Sequence, residues 1–253
     1  MSSHQDRILD QFSRQAAPFA TAPGIRAEEA LRLVAELTGA GPGDTSLDVA
    51  CGPGLLVCAF AKVVRHATGI DLTPTMLDRA REEAHGQGLS NVTWDQGDVT
   101  TLPYRDGSFT IVTSRFAFHH LLHPLTVLRE MHRVCVPGGR IAVIDSAPSP
   151  DKADAFNHME KLRDPSHVRA MPMGELQEVF RAVGLPAPRT ATYRLEGDLD
   201  GLLARSFPNP GDDVKIRRLF EASLTDDRLG ISPRRDEDLI RYAYPVAVLV
   251  STK

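Results

Sequence analysis

The amino-acid sequence predicts an α/β fold in which helices cover both faces of a doubly wound, mostly parallel sheet of seven strands. Short apolar segments alternate with longer segments of helical periodicity, and several apolar segments end at glycine or at an acidic residue. The last segment alternates with a period of two, and we expect it to form the antiparallel edge of the sheet together with the strand before it. We expect a first strand from residue 45 and further strands at 67–70, 92–96, 109–118, 141–144, 189–196 and 242–251.

The segments between these strands carry helix signals. Thr73 and Pro74 suit the cap and the first position of a helix. Other segments place apolar residues on one face and end at glycine or before proline. The predicted helices include 55–64, 124–135 and 173–183, together with one inside the insertion at 151–172.

The segment from Thr45 to Gly54 is a strand that ends in a glycine turn and is followed by a helix. Gly52 and Gly54 allow the backbone to turn sharply and to approach a ligand closely. A dinucleotide fingerprint would require Gly or Ala where Val57 stands. The loop therefore predicts a site for a different nucleoside cofactor.

The chemistry of the same loop disfavours a phosphate group. Pro53 lacks an N–H donor, and Asp48 places a carboxylate near the loop. A cofactor with a cationic amino-acid tail reverses this argument, because Asp48 can attract its ammonium group. S-adenosylmethionine fits that description, and a nicotinamide oxidoreductase is the less favoured alternative.

Four segments within about residues 45–150 resemble, in order, the motifs of class I S-adenosylmethionine-dependent methyltransferases. They are Leu47–Gly54, Gly69–Leu77, Gln96–Val99 and Pro137–Gly139. The most similar subgroup contains the ubiquinone and menaquinone C-methyltransferases and relatives that act on small molecules. The resemblance implies a Rossmann-like fold, S-adenosyl-L-methionine as methyl donor, S-adenosyl-L-homocysteine as product and a small-molecule acceptor.

Composition narrows the class of partner and the location. The 253 residues carry a net charge of −4, which gives no general attraction for nucleic acid. The N-terminus lacks the features of a signal peptide and no segment approaches the roughly twenty apolar residues of a membrane span, so we expect a cytoplasmic protein. The three cysteines form no CxxC pair, so metal or disulfide use is not expected. A homodimer is compatible with the sequence.

The chain divides into three parts. They are an N-terminal helical cap at residues 1–40, the S-adenosylmethionine-binding core at 41–150, and a part at 151–253 that completes the sheet and carries insertions at about 151–172 and 199–239.

Two helices are predicted in the cap. The first ends before Pro18, and the second extends from residue 24 to residue 37. In the family this segment often folds over the cofactor, so Phe12, Arg14 and Phe19 are candidates to line the site. Packing of the two phenylalanines on the core is the alternative interpretation.

Acidic residues after successive strands are the predicted contacts of the nucleoside. Asp71 follows the glycine loop by about twenty residues, where a carboxylate can accept two hydrogen bonds from a ribose diol. The resemblance implies that Asp98 accepts a hydrogen bond from adenine, that the N–H of Val99 serves a ring nitrogen, and that Met76 packs on the ring or else in the core. The expected cofactor residues are Asp48, Ala50, Gly52, Gly54, Asp71, Leu72, Met76, Asp98, Val99, Arg115 and Phe19.

Polar residues after the fourth strand are the candidates for catalysis, because functional groups in open α/β sheets gather outside the carboxyl ends of strands. His119 or His120 would remove a proton from the acceptor. Alternatively, one histidine starts the helix at Pro124 and the other fills space. Arg115 would bind the methionine carboxylate, orient an anionic substrate or pair with a neighbouring acid. No acid or cysteine completes a zinc set with these histidines.

Insertions at this edge of a sheet commonly build the acceptor pocket. The predicted substrate residues are Phe156, Met159, His167, Arg169 and Phe207. The resemblance implies an aromatic, quinone-like or specialised-metabolite acceptor. Ser114–Ala117 departs from the Asn/Asp-Pro-Pro-Tyr motif of protein-methylating relatives, which disfavours an amide or nucleic-acid acceptor. An S-adenosylmethionine-binding protein or cyclase-like enzyme that transfers no methyl group is the alternative function.

Overall fold

A computed structural model of the protein describes residues 3–20 and 26–253, and the side chains of Phe19 and Ala20 lie outside that description. The helices of the described chain are α1 (His4–Ala20), α2 (Glu28–Thr38), α3 (Leu55–Ala61), α4 (Pro74–Gly86), α5 (Pro124–Val134), α6 (Ala153–Arg163), α7 (Met173–Ala182), α8 (Leu199–Ala204) and α9 (Asp212–Asp226). The strands are β1 (Thr45–Val49), β2 (His66–Asp71), β3 (Val92–Gln96), β4 (Phe109–Arg115), β5 (Cys135–Ser146), β6 (Arg189–Asp198), β7 (Arg234–Asp236) and β8 (Leu239–Thr252).

The strands form one mostly parallel sheet in the order β3-β2-β1-β4-β5-β8-β6. The first five strands in the chain pair in parallel, and β8 runs antiparallel between β5 and β6. This confirms the predicted doubly wound, seven-stranded sheet. The short β7, which pairs with β8, was not predicted because its three residues are exposed and charged. The strand order reverses between β1 and β4, where open sheets of this type form a crevice.

The sheet is buried on both faces. Ile141, Ala142, Val143 and Ile144 are all fully buried, although consecutive strand residues point to opposite faces. Ile141 and Val143 pack with α5 and α7, whereas Ala142 and Ile144 pack with α2 and α3. Such two-sided burial explains why the central strands are continuous apolar segments.

The second glycine of the β1 loop is required by packing beneath the loop. Gly54 has a φ of +76°, and a Cβ atom there would lie 2.5 Å from the indole ring of Trp94 and 2.8 Å from Ala80. Gly69 in β2 also accommodates the indole ring. Gly54 therefore allows Trp94 to pack under the loop, whereas the sequence suggested close approach to a ligand.

Among the element boundaries that differ from the prediction, three lie in the N-terminal cap and at the end of β4. Helix α1 continues past Pro18, because that residue lies in its last turn and its missing N–H removes only one helical hydrogen bond. Helix α2 begins at Glu28, and the predicted start at Gly24 lies outside the described residues. Strand β4 ends at Arg115, because Phe116 has a φ of +55° that no extended strand contains. The chain then forms a 3₁₀ turn at Phe118–His120.

Replacement of Gly54 with alanine should separate backbone strain from packing. In Gly88→Ala the new Cβ meets open space at a φ of +67°, so only strain of about 1–2 kcal/mol is expected. Gly54→Ala carries the same strain and also displaces the indole ring, so the loss in free energy of unfolding should be larger by about 1–3 kcal/mol. Urea unfolding of both variants measures the difference, and equal losses would contradict this role of Trp94.

Candidate functional site

A cavity of about 490 Å³ opens where the carboxyl ends of β1, β2 and β4 meet. Its walls are the glycine loop after β1, the chain after β2 and β3, and the chain that leaves β4. Helix α1 covers it with Ile8 and Phe12. We call this space the first cavity.

All but two of the predicted cofactor residues line the first cavity. Gly54 lies beneath the loop against Trp94, and the side chain of Phe19 lies outside the described part of the chain. The lining includes Asp48, Ala50, Gly52, Asp71, Leu72, Met76, Asp98, Val99 and Arg115.

Asp71 links the glycine loop to the start of α4. One carboxylate oxygen accepts the N–H of Gly52 at 2.8 Å, and the other accepts the N–H of Thr73 at 2.9 Å. Burial raises the pKa of Asp71, although the N–H groups of Thr73 and Gly52 oppose that shift. Each oxygen can accept a further hydrogen bond. The carboxylate can therefore bind a diol in the cavity while it holds the loop.

Asp48 is a buried acid in β1 at the other side of the cavity. The hydroxyl of Thr113 donates to it at 2.7 Å. Burial raises the pKa of Asp48 to about 7, against the effects of Thr113 and of the positive charge of Arg115. A cation bound beside this carboxylate would favour its ionised form.

Two residues of α1 reach polar groups at the edge of the first cavity. The side-chain amide of Gln5 donates to Asp98 at 2.8 Å, and the other oxygen of Asp98 accepts from the N–H and hydroxyl of Thr100. His4 donates from Nε2 to the carbonyl of His120 at 2.8 Å. The oxygen of Asp98 that Gln5 contacts has a second lone pair, so it can still accept from a ligand.

A second cavity of about 100 Å³ adjoins the first. Phe12, Phe116 and His120 line both cavities and form the boundary between them. The rest of the second cavity combines aromatic rings with ionised groups. Its lining includes His119, Glu160, Arg163, Asp164, Tyr242 and Tyr244.

The charges of α6 at the second cavity are paired. Arg163 binds Glu160 at 2.7 Å, and the hydroxyl of Tyr244 donates to Glu160 at 2.6 Å. Burial alone would raise the pKa of Glu160, but the charge and hydrogen bonds of Arg163 and the hydrogen bond from Tyr244 together outweigh burial and lower this pKa to about 2. The pair is therefore ionised at neutral pH and presents a fixed polar wall.

The two predicted catalytic histidines have different environments. Nδ1 of His119 lies 2.5 Å from the carboxylate of Asp145. Burial favours neutral His119, but the charge and the hydrogen bond of Asp145 together outweigh burial and raise the pKa of His119. Nδ1 of His120 instead lies 3.1 Å from the hydroxyl of Ser166. Burial and the charge of His119 lower the pKa of His120 to about 3, so His120 is neutral at physiological pH.

None of the five predicted substrate residues lines either cavity. Phe156 and Met159 are buried in an apolar cluster with α9, and His167 is buried with Nε2 at 2.7 Å from the side-chain oxygen of Asn157. Arg169 lies at the surface and pairs with Glu175, while the ring of Phe207 lies 4.4 Å from the guanidinium of Arg14. These residues support the wall of the second cavity or the surface around it.

The residues that line the second cavity and its surroundings carried weaker signals in the sequence. Glu160 and Arg163 are three apart on α6, which places them on one face of the helix. Tyr242 and Tyr244 belong to β8, a strand predicted only to complete the sheet. Asp164 and Ser166 lie in the short connection after α6 and match no motif.

Within residues 3–20 and 26–253, no three His, Cys, Asp or Glu side chains are arranged to hold a metal ion. The same residues include no helix that is long and apolar enough to cross a membrane. Cys51, Cys58 and Cys135 are buried free thiols.

The fold and the first cavity define an α/β enzyme that binds a nucleoside cofactor, and sequence comparison gives its family. A profile described as a methyltransferase domain matches residues 47–143. An uncharacterized methyltransferase, YcgJ of Bacillus subtilis, is 36% identical over 181 residues, which are 70% of this chain and 71% of the relative. The chain belongs to the S-adenosylmethionine-dependent methyltransferases, as its motifs predicted.

Two further comparisons agree with this family. The crystal structure of YcgJ superimposes with a TM-score of 0.81 at 26% identity and covers 89% of this chain and 98% of that one. The ubiquinone/menaquinone biosynthesis C-methyltransferase UbiE of a Ruegeria species is 32% identical over 139 residues, which are 53% of this chain and 54% of that protein.

The raised pKa of Asp48 predicts a pH-dependent stability. The folded protein holds this proton up to about pH 7 and the unfolded chain loses it near pH 4, so stability falls as pH rises between these values. Asp48→Asn removes the ionisation, and its advantage over the wild type should grow by about 3 kcal/mol from pH 5 to pH 8. Urea unfolding of the ligand-free protein measures this difference. Asp78→Asn, at an exposed position of α4, is the control, and an Asp48→Asn difference that is constant with pH would contradict the shift.

Proposed function

We propose that this methyltransferase transfers the methyl group of S-adenosylmethionine to a compact aromatic molecule with polar substituents, held in the second cavity, and that His120 accepts the proton that the acceptor loses. The observation that carries this proposal is the position of His120 in the boundary between the two cavities. A group at that boundary is within reach of both the methyl donor and the acceptor.

The residues of the first cavity fit the methyl donor. Asp71 would hold the ribose diol, because its carboxylate retains free lone pairs beside the glycine loop. Asp98 would accept from the adenine amino group. Asp48 would attract the ammonium group, and Arg115, whose guanidinium lies 4.6 Å from the ring of Phe116, would bind the carboxylate.

The lining of the second cavity supports the class of acceptor. The rings of Phe12, Phe116, Tyr242 and Tyr244 provide flat apolar contacts, and the ionised pair on α6 provides polar ones. A volume of about 100 Å³ suits a compact group. A relative named for ubiquinone and menaquinone biosynthesis also supports a quinone-like acceptor, although it matches only 53% of this chain.

The chain has three tasks in the reaction. Bound S-adenosylmethionine supplies a methyl group activated by its positive sulfur, so the protein needs no nucleophile of its own. The cavities hold and align the reactants, and α1, which covers the first cavity, excludes water from it. Nε2 of neutral His120 accepts a proton from the acceptor's oxygen or nitrogen. Because the pKa of His120 is low, this transfer becomes favourable only as the bond to the methyl group forms.

We also propose a cytoplasmic location. The three cysteines are free thiols, as is usual in a reducing compartment.

Asp71→Asn should weaken binding of S-adenosylmethionine. The amide has only one acceptor oxygen for the ribose and the loop, so we expect a Kd about 10- to 100-fold higher, from the loss of about 1.5–3 kcal/mol. Calorimetric titration measures this change, with Asp78→Asn as the matched control. Equal affinities for the two variants would remove Asp71 from the cofactor site.

His120→Ala should lower kcat for transfer to phenols and other aromatic acceptors by about 10²- to 10⁴-fold, because the proton acceptor is lost. Its Kd for S-adenosylmethionine should remain close to that of the wild type. Formation of S-adenosylhomocysteine over an acceptor panel measures turnover, with the exposed His85→Ala as control. Unchanged kcat in His120→Ala would refute the role of His120. Tight cofactor binding by the wild type without product from any acceptor would favour the non-transferring alternative.

A further inference from the structure

We propose that Asp164 and Ser166 are positioning residues that hold His120 in the tautomer with hydrogen on Nδ1, so that the lone pair of Nε2 faces the boundary between the two cavities. The tautomer is a property of the protein alone. Its catalytic consequence rests on the proposed function.

The hydrogen bonds around Ser166 determine the direction of its hydroxyl hydrogen. The hydroxyl oxygen lies 2.5 Å from Oδ1 of Asp164 and 3.1 Å from Nδ1 of His120. An ionised carboxylate only accepts hydrogen bonds, so the hydroxyl must donate to Asp164. The same oxygen can then only accept from His120, and Nδ1 must carry the hydrogen.

Asp164 is held in its ionised form. Its two oxygens also accept the N–H of Ser166 at 2.8 Å and the side-chain amide of Gln15 at 2.9 Å. Burial opposes ionisation, but the positive charge of Arg163 and the hydrogen bonds from Ser166 and Gln15 lower the pKa of Asp164. Asp164 and Ser166 are both fully buried, so water does not compete for these contacts.

The ring of His120 is fixed on its other sides. Phe12 packs edge-on against it with ring centres 4.9 Å apart, and the ring of His119 lies 4.2 Å away. Nε2 of His120 makes no hydrogen bond to any described residue. It is also not one of the side-chain atoms that are completely enclosed without a partner. Because the ring lines both cavities, Nε2 is left to meet a ligand there.

Comparison with His119 shows what the hydroxyl of Ser166 contributes. The imidazole of His119 contacts the carboxylate of Asp145 directly, which favours its charged form. A hydroxyl stands between His120 and Asp164, so the carboxylate orients this ring with less stabilisation of positive charge. The two neighbouring rings thus differ in role: His119 is suited to donate a hydrogen bond and His120 to accept one.

Long-range proton–nitrogen NMR correlation on protein labelled with ¹⁵N-histidine tests this arrangement without substrate or cofactor. The chain contains nine histidines, and the signals of His120 are those that disappear in His120→Gln. At pH 7.5 the wild type should show a protonated Nδ1 and an unprotonated Nε2. A wild-type His120 with hydrogen on Nε2 would overturn the proposal.

Variants identify the residues responsible. Ser166→Ala removes the hydroxyl that accepts from Nδ1–H, and Asp164→Asn weakens the hydrogen bond that directs the hydroxyl hydrogen, so both should increase the population with hydrogen on Nε2. Ser223→Ala removes another buried hydroxyl, one that contacts Leu229, and should leave the His120 signals unchanged. An unchanged tautomer in both Ser166→Ala and Asp164→Asn would refute the positioning role.

Kinetics separate this proposal from the proposed function. In an active assay, Ser166→Ala should lower kcat about tenfold, an effect of about 1.4 kcal/mol, with little change in KM for S-adenosylmethionine. If no acceptor is methylated, the proposed function fails while the NMR result still stands. If methylation occurs and Ser166→Ala retains full kcat, the tautomer has no catalytic role and the positioning proposal fails.

Discussion

The parallel alignment of the first five strands is the constraint on which the site depends. Because their carboxyl ends meet at one edge, residues distant in the chain converge there: Asp48 from β1, Asp71 from β2, Arg115 from β4 and Asp145 from β5. The reversal of strand order beside β1 leaves a crevice at that edge, which the first cavity occupies. Packing of Trp94 beneath Gly54 fixes the loop that forms one wall.

Several buried ionisable groups line the two cavities, and each is either paired with an opposite charge or shifted towards its neutral form. Burial of an isolated charge costs several kcal/mol, so such groups persist only when paired or neutral. Glu160 is paired with Arg163, and His119 with Asp145. Asp48 and His120 instead favour their neutral forms, because burial moves their pKa values to about 7 and about 3. Both groups line the first cavity, where Asp48 would meet a cationic ligand and His120 a reacting proton.

The sequence predicted those features of the fold and site that short local motifs determine. The glycine loop, the acid after β2 and the doubly wound, mostly parallel sheet were predicted from short motifs and apolar segments, and all but two of the predicted cofactor residues line the first cavity. The lining of the second cavity was not predictable in this way. Large apolar residues of the insertion, such as Phe156, were expected in the pocket, but an insertion needs a core of its own and they pack against α9. Which polar residues line the second cavity depends on how α6 packs against the sheet, and neither spacing nor composition reveals that packing.

A crystal structure of the protein with S-adenosylhomocysteine tests the central claim most directly, namely that the methyl donor occupies the first cavity and delivers its methyl group at the boundary formed by His120. The account predicts the nucleoside between Asp71 and Asp98, with the sulfur directed to that boundary. A nucleoside bound elsewhere, or a sulfur that faces away from the second cavity, would contradict it.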